Sequence, residues 1–243
     1  MSTEVVATSL SRRDRVRQAT IEEMHETARR ILVAEGESAV TMSAVARGMG
    51  MTPPALYKYV DSHQQLLAGV AVLCNNEVIA AMEVARDEQP ADDWPARIMA
   101  VSRAFRRWAL DHRREFALVF ASPEMSARCD MEELESASLR FGWVFGELFV
   151  SAATSGQGRL WSDDAVGEDY LEKESDLLAA LSEQIGPGGR WQFVNYWARI
   201  FGTVSIEVFS HLDWATSNPE EVFEQMLRGI AEDMGVGGRY QHP

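Results

Sequence analysis

The feature that most restricts the fold of this chain is the stretch of residues 41–60, which reads TMSAVARGMGMTPPALYKYV. Two helices that cross steeply need a small residue where their backbones approach each other, and Ala46 meets that need. Gly50 follows four residues later and suits a sharp turn, because glycine adopts a positive φ at little cost. Thr52 then offers a capping oxygen, and Pro53 stands at a first helical position, where no N–H is needed. The pattern predicts a helix-turn-helix, with an apolar wedge formed by Val45, Met49, Met51 and Leu56.

The rest of the sequence also has the pattern of helices. It shows no sustained two-residue alternation of Val, Ile and Thr, which argues against a sheet. Ser122-Pro123 and Asn218-Pro219 repeat the cap-then-proline signature of a helix start. We expect an all-α fold of about nine helices, near Arg15–Glu35, Met42–Gly48, Pro53–Val60, Gln64–Arg86, Pro95–His112, Arg114–Ala121, Glu124–Ser155, Arg190–Leu212 and Pro219–Met234.

The segment 156–190 differs from its surroundings. It opens with glycines, contains seven acidic residues and one Lys between Asp163 and Asp176, and closes on the sequence GPGG at 186–189. Glycine and proline interrupt regular structure, and a run of like charges repels itself. The composition predicts a flexible acidic connection over 156–190 with a short helix, Asp169–Gln184, inside it.

Charge is distributed unevenly along the chain. The net charge is −14 at pH 7, yet residues 1–63 contain eight Arg or Lys and eight Asp or Glu, so residues 64–243 carry the whole excess. Because phosphate repels an acidic surface, this asymmetry suits a protein that touches DNA with one end only. We expect a flexible basic arm over 1–14, a helix-turn-helix domain over 15–63 and a helical body over 64–243.

Several other classes of protein are disfavoured by the sequence. No apolar run approaches the roughly 20 residues that span a bilayer, and residues 1–10 lack the pattern of a secretory signal. Cys74 and Cys129 stand alone and far apart, without the spacing of a zinc site or a redox motif. We therefore expect a cytoplasmic protein with no membrane contact, no metal and no cofactor.

Residues 15–70 contain a set of short motifs: Ala34-Glu35-Gly36, Thr41, Val45-Ala46, Gly50, Pro54, Leu56-Tyr57, Tyr59 and Leu66-Leu67. Taken together, these motifs resemble the TetR family of regulators, and the later helices are similar to that family in layout. It implies a bacterial repressor that binds double-stranded, palindromic operator DNA as a homodimer and is released by a small molecule.

The resemblance also implies a DNA-binding surface. Thr41, Tyr57 and Tyr59 match residues that contact phosphate in the family. Ser43 stands where some members have Arg, and His63 stands where many have Lys. The other residues expected to contact bases or backbone are Thr52, Pro53, Ala55 and Lys58, together with Arg12 and Arg13 on the arm. The alternatives are that the tyrosines pack beneath the motif, that Lys58 is simply solvated, and that the arginines belong to an ordinary disordered tail.

The last two predicted helices have broad apolar faces, which favour a two-fold four-helix interface. Such a dimer would hold two reading helices about 34–36 Å apart, the spacing of successive major grooves. Burial of both faces within one chain is the alternative. The residues expected at the interface are Trp197, Phe201, Val204, Val208, Val222, Phe223, Met226, Leu227 and Ile230.

The family resemblance implies a ligand pocket in the body. The aromatic residues that could line it are Phe105, Trp108, Phe116, Phe120, Trp143 and Trp197, although core packing would explain each of them as well. A DNA-binding or architectural protein without a sensor is an alternative function. A helical enzyme is another, but His25, His112 and His211 lie in no recognised catalytic motif, so we expect no enzyme activity.

Overall fold

The computed structural model describes residues 11–122, 132–165 and 176–242. These ranges contain no strand, which confirms the expected all-α fold. Within them the α-helices are α1 (Arg12–Glu35), α2 (Met42–Gly48), α3 (Pro53–Leu56), α4 (His63–Asp87), α5 (Trp94–Asp111), α6 (Arg113–Phe116), α7 (Glu132–Thr154), α8 (Asp176–Val208) and α9 (Pro219–Asp233).

The first helix begins earlier than the sequence predicts. Ser11 Oγ accepts a hydrogen bond from the Asp14 amide at 3.2 Å, and this cap starts α1 at Arg12. The predicted flexible arm over 1–14 is therefore wrong for residues 12–14, and residues 1–10 lie outside the described residues. At the other end, Gly36 with φ of 96° terminates α1 and returns its amide to the Leu32 carbonyl.

Helices α1, α2 and α3 form a small head around a common core. Gly50 adopts φ of 66°, and the Met51 amide donates to the Ala46 carbonyl at 2.8 Å. The sharp turn that the sequence predicts therefore lies at Gly50, because glycine adopts a positive φ at little cost. Val45, Ala46 and Leu56 are fully buried between the helices. Helix α3 ends at Leu56 and continues as a turn, whereas the sequence favoured a helix up to Val60.

Helix α4 is the spine that joins the head to the body. Ser62 Oγ caps it by accepting from the Gln65 amide at 3.1 Å. It packs against α1 in the head and against α5 and α7 in the body. Among the described helices, α4 is the one long and apolar enough to pass for a membrane span, but its apolar face is core: Leu66, Val70 and Met82 are fully buried.

The body contains two departures from regular helix. Helix α6 continues as a π-type turn over Ala117–Ala121. Helix α8 is two segments that meet at Gly186, where φ is 69°, and Pro187 opens the second segment. The Gly188 amide there donates to Asp163 Oδ1 at 2.9 Å.

The kink at Gly186 overturns two predictions from the sequence. The short helix predicted over Asp169–Gln184 is confirmed for residues 176–184. The flexible connection is wrong for residues 185–190, which belong to the kinked helix α8, and the last long helix does not begin at Arg190. Gly186 ends the first segment of α8, and Pro187 begins the second segment in a new direction, because a proline at a first helical position needs no N–H. The first residues of the predicted helices Asp169–Gln184 and Glu124–Ser155 lie outside the described residues.

A seam of ion pairs ties α5 to α8 and α9. Arg103 donates to both carboxylate oxygens of Glu224, at 2.9 and 2.7 Å, and Glu224 is almost wholly buried. One turn further along α5, Arg106 holds both oxygens of Glu207 on α8 at 2.8 and 2.7 Å. The apolar stripe of α9 lies beside this seam and is buried inside the same chain.

Candidate nucleic-acid interface

Helix α3 and the turn after it form an exposed ridge on the head. Leu56 is buried and anchors the ridge, while Thr52, Pro53 and Lys58 are exposed and Ala55 is half-buried. Tyr57 is 54% exposed, so its ring is not part of the core. Thr52 makes no capping hydrogen bond to α3, which leaves its hydroxyl available for an outside partner. The ridge therefore offers the polar and apolar groups that major-groove recognition uses.

Tyr59 lies differently from Tyr57. Its ring is half-buried against the core, and the guanidinium of Arg17 lies 5.5 Å from the ring centroid. Arg17 Nη1 also donates to the Lys58 carbonyl at 2.7 Å. Sequence reasoning missed Arg17, because no short motif reveals a contact between residues 41 positions apart.

The first motif helix contributes a second exposed edge. Thr41 Oγ1 accepts from the Ala44 amide at 3.1 Å and caps α2, and Thr41 and Ser43 are both exposed. Because the cap uses the Thr41 oxygen as an acceptor, its proton can still be donated to a phosphate. Arg47, in the last turn of α2, is also exposed; the sequence-based list omits it.

The structure does not favour His63 as a DNA contact. Its Nε2 lies in hydrogen-bonding contact with the Val40 carbonyl, so the ring joins the start of α4 to the loop before α2. His63 was expected to contact DNA because many members of the family have a phosphate-binding Lys at this position. The contact with the Val40 carbonyl explains why the His63 side chain points into the head instead. Arg12 and Arg13 are exposed on the first turn of α1 instead of on an extended arm.

The expected dimer residues divide into two groups. Five of the nine are buried within one chain, which contradicts their assignment to a partner surface: Val204, Val208, Phe223, Leu227 and Ile230. Helix α9 packs on α8, and the guanidinium of Arg106 on α5 lies 5.4 Å from the centroid of the Phe223 ring. Trp197 and Phe201 are half-buried against the core, as is Met226, while Val222 is exposed.

Other large apolar side chains, which the sequence did not lead us to expect at the interface, are also exposed where α8 leads into α9. Ile206 and Phe209 at the end of α8 are each 38% exposed, and Trp214 in the α8–α9 loop is 88% exposed. Gly202, one turn before Ile206, has open space where a Cβ would stand. The exposed apolar side chains therefore lie at the end of α8, in the loop after it and at the start of α9.

Most of the aromatic residues expected in a ligand pocket lie together in the body. Phe105 has its ring centroid 6.1 Å from those of Phe116 and Trp197 and 5.8 Å from that of Phe120. Trp108 is buried in the core and stacks on His112 at 4.9 Å. Trp143 is 36% exposed, and its place in a ligand pocket stays a prediction.

None of these aromatic residues lines the cavity that α5, α8 and α9 enclose. That cavity measures about 10 Å³ and is bordered by Trp94, Ile98 and Leu227 among others. It has room for about one water molecule. Arg106, which lies next to the aromatic cluster in sequence, is neutralised by Glu207 and Glu220 and is not free for an anionic ligand.

Comparisons with known proteins bear on both parts of the chain. Residues 25–70 match the family described as bacterial regulatory proteins, tetR family, and residues 98–230 match the tetracyclin repressor-like, C-terminal domain. The HTH-type transcriptional regulator Rv1816 of Mycobacterium tuberculosis is 28% identical over 209 residues, which cover 84% of this chain and 87% of that protein.

Solved structures share the fold at low sequence identity. The regulatory protein SCO4313 is 19% identical with a TM-score of 0.66, covering 91% of this chain and all (100%) of that one. RolR in complex with resorcinol is 15% identical with a TM-score of 0.56, covering 95% and 98%. BioQ with its natural double-stranded DNA operator is 20% identical with a TM-score of 0.51, covering 87% and 97%.

Proposed function

The chain belongs to the TetR family of bacterial DNA-binding transcription regulators, and we propose that it represses transcription from a palindromic operator until a small molecule releases it. The family is one of regulators and not of enzymes. A protein that reads chromosomal DNA works in the cytoplasm of a bacterium. We further propose that the head comprises α1 to α3 and that the body begins with α4.

The observation that carries the proposal is the exposed ridge of α3. We assign Tyr57 and Thr41 to backbone phosphates and Thr52, Pro53, Ala55 and Lys58 to base edges, with Ser43, Tyr59, Arg12 and Arg13 at the margin of the contact. Lys58 can donate to guanine, and Pro53 and Ala55 can contact thymine methyl groups. The acidic body opposes non-specific binding, so specific affinity must come from this small surface.

We assign the dimer interface to the outward faces of α8 and α9. Regulators of this family act as dimers. Ile206, Phe209 and Val222 are large apolar side chains that one chain leaves exposed, and a second copy would cover them. Gly202 lets two α8 helices approach closely. Trp197, Phe201 and Met226 border this face, whereas the buried Phe223 and Leu227 support it from within.

Release by a ligand is supported by the way α6 joins the body to the head. On its body side, Phe116 and Phe120 belong to the aromatic cluster with Phe105. On its head side, Arg114 donates to the Val33 carbonyl at 2.6 Å. A ligand that repacks the aromatic cluster would therefore move a helix that holds the end of α1. The rings of the aromatic cluster favour an apolar or aromatic ligand. The link that α6 makes between this cluster and the head favours a sensor over an architectural protein.

The proposal is tested by an anisotropy titration against the intergenic DNA upstream of the gene, at two salt concentrations and with competitor DNA. We expect a specific, salt-sensitive complex that Tyr57→Ala weakens by roughly tenfold or more, the usual effect of losing a hydrogen bond to a charged group. Val84→Ala, a change of an exposed residue on the distal part of α4, is the matched control. Equal affinity of the two variants, or no specific site in a genomic selection, would contradict the proposal.

A further inference from the structure

Helix α3 has little structure of its own to hold its exposed ridge in place. It is four residues long, and Tyr57 to Val60 follow as a turn. The Tyr59 and Val60 amides both return to the Leu56 carbonyl, at 2.8 and 3.2 Å. A single helical turn is not stable in isolation, and its last carbonyl groups have no partner within the helix. The orientation of Tyr57 and Lys58 therefore depends on contacts from other elements.

Arg17 of α1 supplies such a contact. Its Nη1 donates to the Lys58 carbonyl at 2.7 Å, and its guanidinium lies 5.5 Å from the centroid of the Tyr59 ring. The two interactions fix the backbone and the side chain of neighbouring residues at the same time. Guanidinium stacks well on an aromatic ring and donates in a fixed geometry, which an ammonium group does only in part.

We propose that Arg17 is a positioning residue for DNA recognition, which holds the end of α3 so that Tyr57 reaches a backbone phosphate and Lys58 faces the base edges of the major groove. This inference rests on the operator contacts proposed above. The guanidinium is exposed but is engaged by the Lys58 carbonyl and the Tyr59 ring, so in this proposal it acts through those two residues and does not neutralise a phosphate. Arg13 lies one turn earlier on the same helix and is exposed, so it provides a charge-matched comparison.

The test measures operator affinity at several salt concentrations for the wild type, Arg17→Gln, Arg17→Lys and Arg13→Gln. We expect Arg17→Gln to weaken binding roughly tenfold, or about 1.4 kcal/mol, with no change in the slope of log K against log salt. Loss of a phosphate contact would instead reduce the slope by about 0.9. Arg17→Lys should recover part of the affinity, because an ammonium group still donates to the carbonyl. Melting temperature should stay within about 2 °C of the wild type, as for most surface substitutions.

Three results would overturn the inference: unchanged affinity of Arg17→Gln, a slope reduced like that of a phosphate contact, or a loss of affinity matched by a large fall in melting temperature. Amide exchange in the free protein gives a separate test. Arg17→Gln should speed exchange over residues 53–60 while Arg13→Gln does not, and equal exchange in the two variants would also overturn the inference. If the wild type itself binds no specific DNA, the proposed function fails, and the exchange experiment still decides the role of Arg17.

Discussion

The Arg103–Glu224 pair provides the most quantitative prediction. Glu224 is 2% exposed, and its Oε2 accepts from Arg103 at 2.7 Å and from the Tyr240 hydroxyl at 2.6 Å. Glu224→Gln removes the charge that Arg103 faces while keeping the size of the side chain. Removing one partner of a buried ion pair costs about 3–5 kcal/mol, and the partial exposure of Arg103 places the expected loss near about 3 kcal/mol.

For a chain of this length that loss lowers the melting temperature by roughly 6–12 °C. It should be measured by thermal and urea unfolding at one fixed protein concentration, because dimerisation makes melting depend on concentration. Glu221→Gln is the control, since Glu221 is a more exposed carboxylate on the same helix and should change stability by less than about 0.5 kcal/mol. The double replacement Arg103→Met with Glu224→Leu should recover part of the stability. A Glu224→Gln variant as stable as Glu221→Gln would refute the reasoning.

Three shorter predictions concern pH, the motif turn and the dimer. Burial raises the pKa of Glu224, but hydrogen bonds from Arg103 and Tyr240 outweigh burial, so the pKa in the folded protein is lowered. The contribution of Glu224 to stability is therefore complete above the pKa of Glu in the unfolded chain and is lost as pH falls through the lower, folded-state pKa. The stability of the wild type should then fall more steeply with acid than that of Glu224→Gln. Gly50→Ala places a Cβ at φ of 66° and should cost about 1–2 kcal/mol in urea unfolding although no neighbour is within 4 Å, and an unchanged midpoint would contradict the strain argument. Ile206→Asp should yield monomers in analytical ultracentrifugation and weaken operator binding, whereas Val84→Asp should remain dimeric; dimers in both would refute the assigned interface.

Local patterns predicted the head well, because the interactions that define it are local. Gly50 sets the turn by its own φ, and Ser62 caps α4 through a residue three positions away. These signals depend only on neighbours in sequence, so they can be read without the rest of the fold. The cap of Ser11 belongs to the same class and was missed because the arginines beside it suggested an arm.

The body was predicted less well, because there tertiary packing decides. The sequence of the α9 stripe is equally consistent with burial against a partner chain and with burial inside its own chain. Phe223 is fully buried within one chain, with Arg106 of α5 over its ring. Gly186 and Pro187 read as a loop in sequence, yet the surrounding helices make them a kink. His63 occupies a position that contacts DNA in the family, but its Nε2 lies in hydrogen-bonding contact with the Val40 carbonyl of the same chain. Contacts across long sequence separations, such as that of Arg17, have no local signature.

The central claim is that two heads of one dimer read DNA through α3. Hydroxyl-radical footprinting of the wild type on its operator fragment tests it most directly. We expect protection of two half-sites whose centres lie about 34–36 Å apart, one helical turn of DNA, and loss of that protection in Tyr57→Ala at the same protein concentration. A single protected half-site, or sequence-independent protection that survives in Tyr57→Ala, would contradict it.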